Sequence, residues 1–206
     1  MPDPYSQRAK AFFDQYQQLA FEEVHDAWLH YLPEDPGYAL DIGAGSGRDA
    51  GALAKRGWSV LAVEPAEALR ELAERSTAEL PLQWLNDRLP ELEEVKACGH
   101  RFRLILVSAV WMHLPPNQQG EALNTLSELI EPGGIIVITL RHGPGDDERT
   151  FYETSRSELE TLANDEGLTP MAVDDSPQSD QLGRDAVSWE TLVFTTVKTG
   201  ARHEPA

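Results

Sequence analysis

The sequence is poor in cysteine, in basic residues and in long apolar runs. Cys98 is the single cysteine among 206 residues, so the chain cannot form an internal disulfide, and this usage suits a reducing compartment. Lys and Arg number 17 against 35 Asp and Glu, a formal net charge of −18, which argues against binding to the phosphate backbone of a nucleic acid. No apolar run approaches the length that crosses a bilayer, so we expect no membrane insertion.

The beginning of the sequence has neither a basic segment nor an apolar segment of the secretory type, which predicts no signal peptide and a cytoplasmic location. The hydrophobic fraction of 41% is enough for a core. The length favours one domain over residues 1–200, followed by a disordered tail at 201–206. Within that domain, residues 1–34 form a helical arm and 35–200 an α/β core. The sequence does not indicate an oligomeric state.

Residues 38–49 organise the rest of the chain, because they read as an apolar strand, a tight turn and the start of a helix. Leu40 and Ile42 alternate with less apolar positions, as in a strand with buried side chains. The turn contains three glycines: Gly43, Gly45 and Gly47. Glycine permits positive φ and close approach of a ligand, and the helix predicted at 48–56 offers N–H groups at its start. The stretch therefore predicts a nucleoside-cofactor site.

The spacing of the glycines separates two cofactor classes. Dinucleotide sites use G-x-G-x-x-G, whereas this turn reads G-x-G-x-G and is followed by Arg48. Asp41 lies at the strand end, where a carboxylate suits a sulfonium or ammonium cation better than a pyrophosphate. A dinucleotide-dependent oxidoreductase is thus disfavoured, although it stays open as an alternative.

The sequence Asp-Ile-Gly-Ala-Gly-Ser-Gly at 41–47 resembles motif I of class I S-adenosylmethionine (SAM) dependent methyltransferases. The other segments that carry the resemblance follow in the family's order: 60–64, 86–87, 104–113 and 129–134. Together they cover about residues 35–140. The resemblance implies SAM as cofactor, S-adenosylhomocysteine as product, no metal, and a small-molecule acceptor of the kind used by the ubiquinone and menaquinone group.

The resemblance also implies the residues that bind the cofactor. They are Asp41, Gly43, Ala44, Gly45, Ser46, Gly47, Arg48, Glu64, Pro65, Asn86, Asp87, Ser108 and Ala109. Glu64 lies about 20 residues beyond the glycine turn, the spacing at which a strand-end acid reaches ribose hydroxyls. Asn86 and Asp87 fall where the family contacts adenine, but the pair equally suits a plain turn.

Two residues are candidates for catalysis. His113 follows a central apolar strand predicted at 103–108, and a histidine there can take a proton from an acceptor; in the resembling family it is also frequently structural. Arg141 follows the next strand and can pair with a carboxylate on the acceptor, or it is an arginine on a solvated loop. Trp111 is expected on the acceptor side as well.

Residues 5–32 have helical spacing of apolar side chains, which predicts one or two helices. This arm either packs on the sheet or covers the acceptor site as a lid, with Tyr5 and Tyr16 as candidates for substrate contact. Near the other end, 168–174 and 187–198 read as two strands joined by a mobile polar loop at 175–185.

Strands alternating with helices predict a doubly wound, mostly parallel sheet with helices on both faces and an antiparallel last strand pair. The resemblance supplies the count of seven strands. The implied reaction is in-line methyl transfer, for which the protein must mainly hold donor and acceptor in line. No Asn-Pro-Pro-Tyr or Asp-Pro-Pro-Tyr follows the fourth strand, and with the acidic charge this favours a small-molecule acceptor. A protein or RNA acceptor, or a SAM-binding regulatory module without turnover, remains an alternative.

Overall fold

The computed structural model describes residues 4–145, 149–174 and 176–196. A single sheet runs through it. Its strands are β1 (Tyr38–Ile42), β2 (Ser59–Val63), β3 (Leu82–Leu85), β4 (Phe102–Val107), β5 (Ile130–His142), β6 (Leu168–Pro170), β7 (Gln178–Ser179) and β8 (Ser188–Thr196). The order is β3-β2-β1-β4-β5-β8-β6, and β7 pairs with β8 outside this path.

Helices flank the sheet. They are α1 (Pro4–Gln7), α2 (Ala9–Tyr16), α3 (Phe21–Leu29), α4 (Arg48–Lys55), α5 (Glu67–Ser76), α6 (Glu93–Ala97), α7 (Pro116–Leu129) and α8 (Arg156–Asp165), with a short 3₁₀ turn at Trp111–His113. In the described part of the chain, no helix is both long and apolar enough to cross a membrane.

The apolar pattern of β4 explains why helices cover both faces of the sheet. Ile105 and Val107 point into a core shared with α7 and α8, whereas Leu104 and Leu106 point into a second core shared with α3 and α4. A strand buried on both faces reads as a continuous apolar run. The first five strands pair in parallel, and β8 runs antiparallel to β5 and β6. The predicted mostly parallel sheet with an antiparallel last pair is confirmed.

Two segments differ from the predictions. The arm predicted as one or two helices contains three, because the chain breaks between α1 and α2 and again between α2 and α3. The polar segment 175–185, predicted as a mobile loop, contains the short strand β7, which raises the number of strands from the predicted seven to eight. Asp180 organises it by accepting hydrogen bonds from Arg184 and Trp189, a pairing that no apolar periodicity could indicate. The predicted tail at 201–206 lies outside the described residues.

The strand order reverses between β1 and β4, and this reversal positions the site. The chain moves from β1 outward to β3, then returns to the other side of β1 for β4 and β5. Ligands of doubly wound sheets bind beyond the carboxyl ends of the strands at such a switch point. The glycine turn after β1 and the turn after β4 both open there.

Candidate cofactor and acceptor site

A cavity of about 600 Å³ lies at the carboxyl edge of the sheet, within the size range of small-molecule sites. Its wall combines the ends of the parallel strands with residues of α1, α2 and the β7–β8 region. At the strand ends the lining residues are Ile42, Gly43, Ala44, Gly45, Ser46, Arg48, Glu64, Pro65, Ser108, Ala109, Thr139 and Arg141.

The glycine turn has a backbone that side chains would disturb. Gly43, Gly45 and Gly47 have φ of 66°, 55° and 74°, in the left-handed region that favours glycine. A Cβ on Gly43 would lie 2.4 Å from a methyl group of Val110, and one on Gly47 would lie 2.9 Å from the Trp84 ring. The described cavity wall includes the first two glycines but not Gly47, which packs behind the turn.

Glu64 links the glycine turn to the start of α5. It is 6% exposed and lines the cavity. Its Oε2 accepts a hydrogen bond from the Gly45 N–H at 2.9 Å, and its Oε1 accepts one from the Ala66 N–H at 2.8 Å. The carboxylate therefore stands at the cavity edge in a fixed orientation, at the predicted position for a ribose ligand.

Asp41 lies behind the turn. It is 2% exposed, is absent from the described cavity wall, and accepts a hydrogen bond from the backbone of Ala50. No described residue donates a hydrogen bond to its Oδ2. Burial and the negative charge of nearby Asp49 raise the pKa of Asp41 well above its usual range. The protein therefore disfavours the charged form of this carboxyl, and its predicted contact with the cofactor stays a prediction.

Asp49 is the centre of a cluster that the sequence analysis missed. Its carboxylate accepts hydrogen bonds from Arg48 Nε at 2.6 Å and Nη2 at 2.8 Å. His25 Nε2 lies 3.0 Å from Asp49 Oδ2, although its N–H direction departs from that of a standard hydrogen bond. Burial alone would raise the pKa of Asp49, but His25 and Arg48 hold it below its ordinary range.

The same cluster joins the N-terminal arm to the cofactor helix. Trp28 Nε1 donates to His25 Nδ1 at 3.0 Å, so the imidazole proton sits on Nε2, facing Asp49. His25 belongs to α3 and Asp49 to the first turn of α4. The only signal in the sequence was a histidine three residues before a tryptophan on an apolar helix face, and nothing in the pattern named Asp49 as its partner.

The residues predicted to contact adenine, Asn86 and Asp87, come directly after β3. Asp87 Oδ1 accepts from the Arg88 N–H at 2.8 Å, and Oδ2 accepts from the Val95 N–H at 3.1 Å. Asn86 is exposed. The described wall of the cavity includes Arg88 and Leu89 but neither Asn86 nor Asp87. These hydrogen bonds build a turn, the alternative that the sequence left open, and the adenine contact stays a prediction.

In the turn after β4, two residues predicted to line the site do line the cavity, and a third does not. Ser108 and Ala109 line it, and Ala109 has a φ of 57° with its N–H donating to Thr139 Oγ1 at 2.7 Å. Trp111, expected on the acceptor side, is instead fully buried in the core below α7 and α8. The 3₁₀ turn directs His113, two residues later, to the cavity.

His113 contacts the N-terminal arm. Its Nε2 lies 2.8 Å from Tyr5 Oη, and the two rings meet edge to face at 5.6 Å. Arg149 Nη1 donates to the same Tyr5 oxygen at 3.1 Å. Phe151 packs against the imidazole at 5.2 Å. All four residues line the cavity, and Tyr5 also packs against Ala66 and Leu69 near the start of α5.

Arg141 is buried, at 7% exposure, rather than on a solvated loop. It donates from Nη1 to the Gly143 carbonyl at 3.1 Å and from Nη2 to the Pro144 carbonyl at 2.7 Å. Its guanidinium lies 4.6 Å from the centre of the Phe151 ring, the geometry of a cation–π contact. Arg141 thereby brings positive charge to the part of the cavity at the end of β5.

The first two helices of the arm cover the cavity. Tyr5, Phe12, Gln15, Tyr16 and Leu19 line it. Gln17 Nε2 donates to the Ser46 carbonyl of the glycine turn at 2.8 Å. Burial, as the largest cause, raises the pKa of Tyr16 to about 12, so its hydroxyl stays protonated at neutral pH. The arm therefore contacts both ends of the cavity.

Metal-ligating side chains do not cluster in the described ranges: no three His, Cys, Asp or Glu there are grouped so that they could hold a metal ion.

Known proteins resemble this chain in sequence and in fold. A family model described as a methyltransferase domain matches residues 12–175. The ubiquinone biosynthesis O-methyltransferase of Coxiella burnetii (strain RSA 493 / Nine Mile phase I) is 30% identical over 99 residues, which are 48% of this chain and 41% of that protein. The match thus spans less than half the length of that curated relative.

Solved structures share the fold. The magnesium protoporphyrin IX methyltransferase of Synechocystis PCC 6803 with bound SAM has a TM-score of 0.66 at 15% identity, over 94% of this chain and 84% of that one. The 1,6-didemethyltoxoflavin-N1-methyltransferase of Burkholderia thailandensis, with bound 1,6-didemethyltoxoflavin and S-adenosylhomocysteine, has a TM-score of 0.67 at 20% identity and the same coverage. Since the family model covers well over half of the sequence, the chain belongs to the methyltransferase domain family.

Proposed function

We propose that the chain is a SAM-dependent methyltransferase that transfers a methyl group to a small-molecule acceptor by in-line displacement. One observation carries the proposal: a single cavity is lined both by the glycine turn and Glu64, which follow β1 and β2, and by His113 and Arg141, which follow β4 and end β5 on the other side of the sheet edge. A methyl transfer between two bound molecules requires such an arrangement, because both must lie in one enclosed space with their reacting atoms aligned.

The residues at the glycine turn fit SAM. Gly45 presents bare backbone to the cavity with a positive φ, and Glu64 presents a carboxylate that can accept from the two ribose hydroxyls. Bound there, SAM would supply a methyl group already activated by its positively charged sulfur. The chain's own task is then to bind, align and shield the two reactants, and to accept a proton where the acceptor carries one.

Several observations support a small acceptor. The cavity is covered by α1 and α2 and has a volume of about 600 Å³. The net charge of −18 opposes a nucleic acid partner. By their names, one relative given above is an O-methyltransferase of ubiquinone biosynthesis, and the two solved structures are methyltransferases of magnesium protoporphyrin IX and of 1,6-didemethyltoxoflavin. We also propose that residues 1–34 act as a lid over the core, and that the single cysteine reflects a cytoplasmic location.

The test is transfer of labelled methyl from SAM into a metabolite extract, with products separated by mass. We expect a labelled small molecule with the wild-type chain. His113→Ala should lower the rate of labelling at unchanged SAM affinity, because it alters the acceptor end alone. His100→Ala is the matched control, since His100 is exposed and stacks on Tyr38 away from the cavity. If SAM binds but no labelled product forms, the chain is not a methyltransferase and the proposal is contradicted. Label found only in the protein or RNA fraction would contradict the small-molecule acceptor.

A further inference from the structure

A hydrogen-bonded chain of three side chains lies at the acceptor end of the cavity, and its members come from three separate parts of the sequence. Arg149 Nη1 donates to Tyr5 Oη at 3.1 Å, and Tyr5 Oη lies 2.8 Å from His113 Nε2. Tyr5 belongs to α1, His113 to the turn after β4, and Arg149 to the segment after β5. All three line the cavity.

The chemistry of the three groups gives the chain a direction. A guanidinium only donates, a phenol has one proton to donate, and a neutral imidazole has one accepting nitrogen. With Arg149 donating to its oxygen, Tyr5 can pass its own proton towards His113 Nε2. This assigns the imidazole proton to Nδ1, an assignment that the heavy-atom positions allow and that NMR can measure.

Aromatic packing fixes the orientation of the chain. Tyr5 meets His113 edge to face at 5.6 Å, and Phe151 lies against the other side of the imidazole at 5.2 Å. The Arg149 guanidinium lies 5.4 Å from the centre of the Tyr5 ring and 5.0 Å from that of Phe151. Groups held in this way lose little freedom when a substrate arrives, which is what general base catalysis needs.

We propose that Tyr5 is a catalytic residue that takes the proton from an acceptor hydroxyl and passes its own proton to His113. The proposal rests on the proposed function and names its substrate class: a phenol or enol, whose reacting oxygen carries a proton of moderate acidity. The N-terminal arm then supplies part of the active site in addition to covering it.

The proposed step balances. The acceptor O–H bond breaks and its proton moves to Tyr5 Oη, while the Tyr5 proton moves to His113 Nε2. The acceptor oxygen uses its electron pair to form the bond to the methyl carbon, and the sulfur keeps the pair of the broken S–C bond. The positive charge of the sulfonium thus reappears on the His113 imidazolium. Arg149 stabilises the negative charge that develops on Tyr5 Oη during the transfer.

The first test needs no acceptor. ¹⁵N NMR of the imidazoles should show His113 with Nε2 unprotonated and hydrogen bonded in the wild-type chain, both with and without S-adenosylhomocysteine. In Tyr5→Phe the Nε2 resonance should move towards that of an unprotonated nitrogen that accepts no hydrogen bond. Tyr31→Phe is the matched control, because Tyr31 donates its hydroxyl to the Ala172 carbonyl outside the cavity. A protonated Nε2 in neutral His113, or a resonance unchanged by Tyr5→Phe, would overturn the proposal.

The second test measures turnover with the labelled-SAM extract assay. Tyr5→Phe should lower the labelling rate by about 10² to 10⁴, the usual worth of a general base, with SAM affinity within about twofold of wild type. The loss should shrink as the pH rises towards about 10, where a phenolic acceptor gives up its proton unaided. A loss that stays constant with pH would mean a structural role and would contradict the base. Absence of SAM binding in the wild type would instead refute the proposed function.

Discussion

The two ends of the cavity are built in different ways. At the cofactor end, a strand, a turn and a helix that follow one another in the sequence present backbone, and Glu64, directly after the neighbouring strand, adds a carboxylate bonded to that turn. At the acceptor end, Tyr5, His113, Arg141 and Arg149 come from segments far apart in the sequence and present side chains. Tyr5 and Arg149, which share a hydrogen bond, are 144 positions apart.

This difference teaches which part of such a site a sequence can reveal. A backbone cradle requires glycine at fixed spacing, so it leaves a contiguous pattern. An end built from loop and arm side chains can change its chemistry without disturbing the sheet. We therefore expect substitutions at the cofactor end to damage folding and SAM binding together, and substitutions at the acceptor end to damage turnover alone.

Gly43→Ala should have the largest effect on stability. The new Cβ would meet Val110 at 2.4 Å with φ at 66°, so left-handed strain of about 1–2 kcal/mol adds to overpacking of about 1–3 kcal/mol. We expect the free energy of unfolding to fall by about 2–5 kcal/mol and SAM binding to be lost, as measured by urea unfolding and calorimetry.

Gly120→Ala is the matched control for that change. Gly120 lies within α7, and a Cβ there meets no atom within 4 Å. Alanine is the better helix former, so this variant should gain about 0.5–1 kcal/mol. If the two variants have similar free energies of unfolding and similar SAM affinities, the turn does not depend on its glycines. The contrast between the two ends of the cavity would then no longer hold.

Glu64→Ala should have the next largest effect, this time on binding. The change removes the acceptor of the Gly45 and Ala66 N–H groups and of the proposed ribose hydroxyls. In the complex, the ribose hydroxyls would then be buried without an acceptor. An unpaired buried polar group costs about 1–3 kcal/mol, so the free energy of SAM binding should weaken by that amount in calorimetry. Glu67→Ala, an exposed position in the first turn of α5, should leave the affinity unchanged. Equal affinity of the two variants would contradict the role of Glu64.

The smallest effect concerns two buried carboxyls, Asp41 behind the turn and Asp49 in the cavity wall. Burial beside Asp49 raises the pKa of Asp41, so the unfolded chain loses this proton more readily, and stability falls as the pH rises above the ordinary value of 3.8. Asp41→Asn should remove this penalty and raise the melting temperature at pH 7 by about 2–4 °C, the shift produced by about 1 kcal/mol. The gain should vanish as the pH falls towards 3.8.

Asp49→Asn should behave in the opposite way. Although burial opposes ionisation, His25 and Arg48 hold the pKa of Asp49 below its usual range, so its contribution to stability is present above pH 3.8 and is lost as the pH falls below it. The variant should melt below the wild type at pH 7 and approach it in acid. A shift of the melting temperature in the same direction in both asparagine variants at pH 7 would contradict the opposite pKa shifts of the two carboxyls.

The sequence predicted the parts of the fold that depend on local pattern. The glycine turn lies between β1 and α4 within a residue of the predicted bounds, and β4 is displaced by one residue from its predicted range of 103–108. The short strand β7 was missed, because two polar residues have no apolar periodicity. The His25–Asp49 contact and the Tyr5–His113 hydrogen bond were missed as pairs, because each forms only when the arm packs on the core.

His113 and Arg141 were predicted to act on an acceptor, and these roles stay predictions. Both residues line the cavity, where Arg141 is buried and bonded to two carbonyls rather than on a solvated loop. Arg149 and Phe151 were not singled out, because an arginine and a phenylalanine in a polar segment have no spacing that marks them. Their importance arises from three-dimensional contacts with Tyr5 and His113.

A crystal structure of the chain with S-adenosylhomocysteine would test the two-ended cavity most directly. The account predicts the ribose hydroxyls on the Glu64 carboxylate, the amino-acid portion over the glycine turn, and the sulfur directed towards the Tyr5–His113 pair. A nucleoside bound outside this cavity, or a sulfur that faces away from Tyr5 and His113, would contradict it.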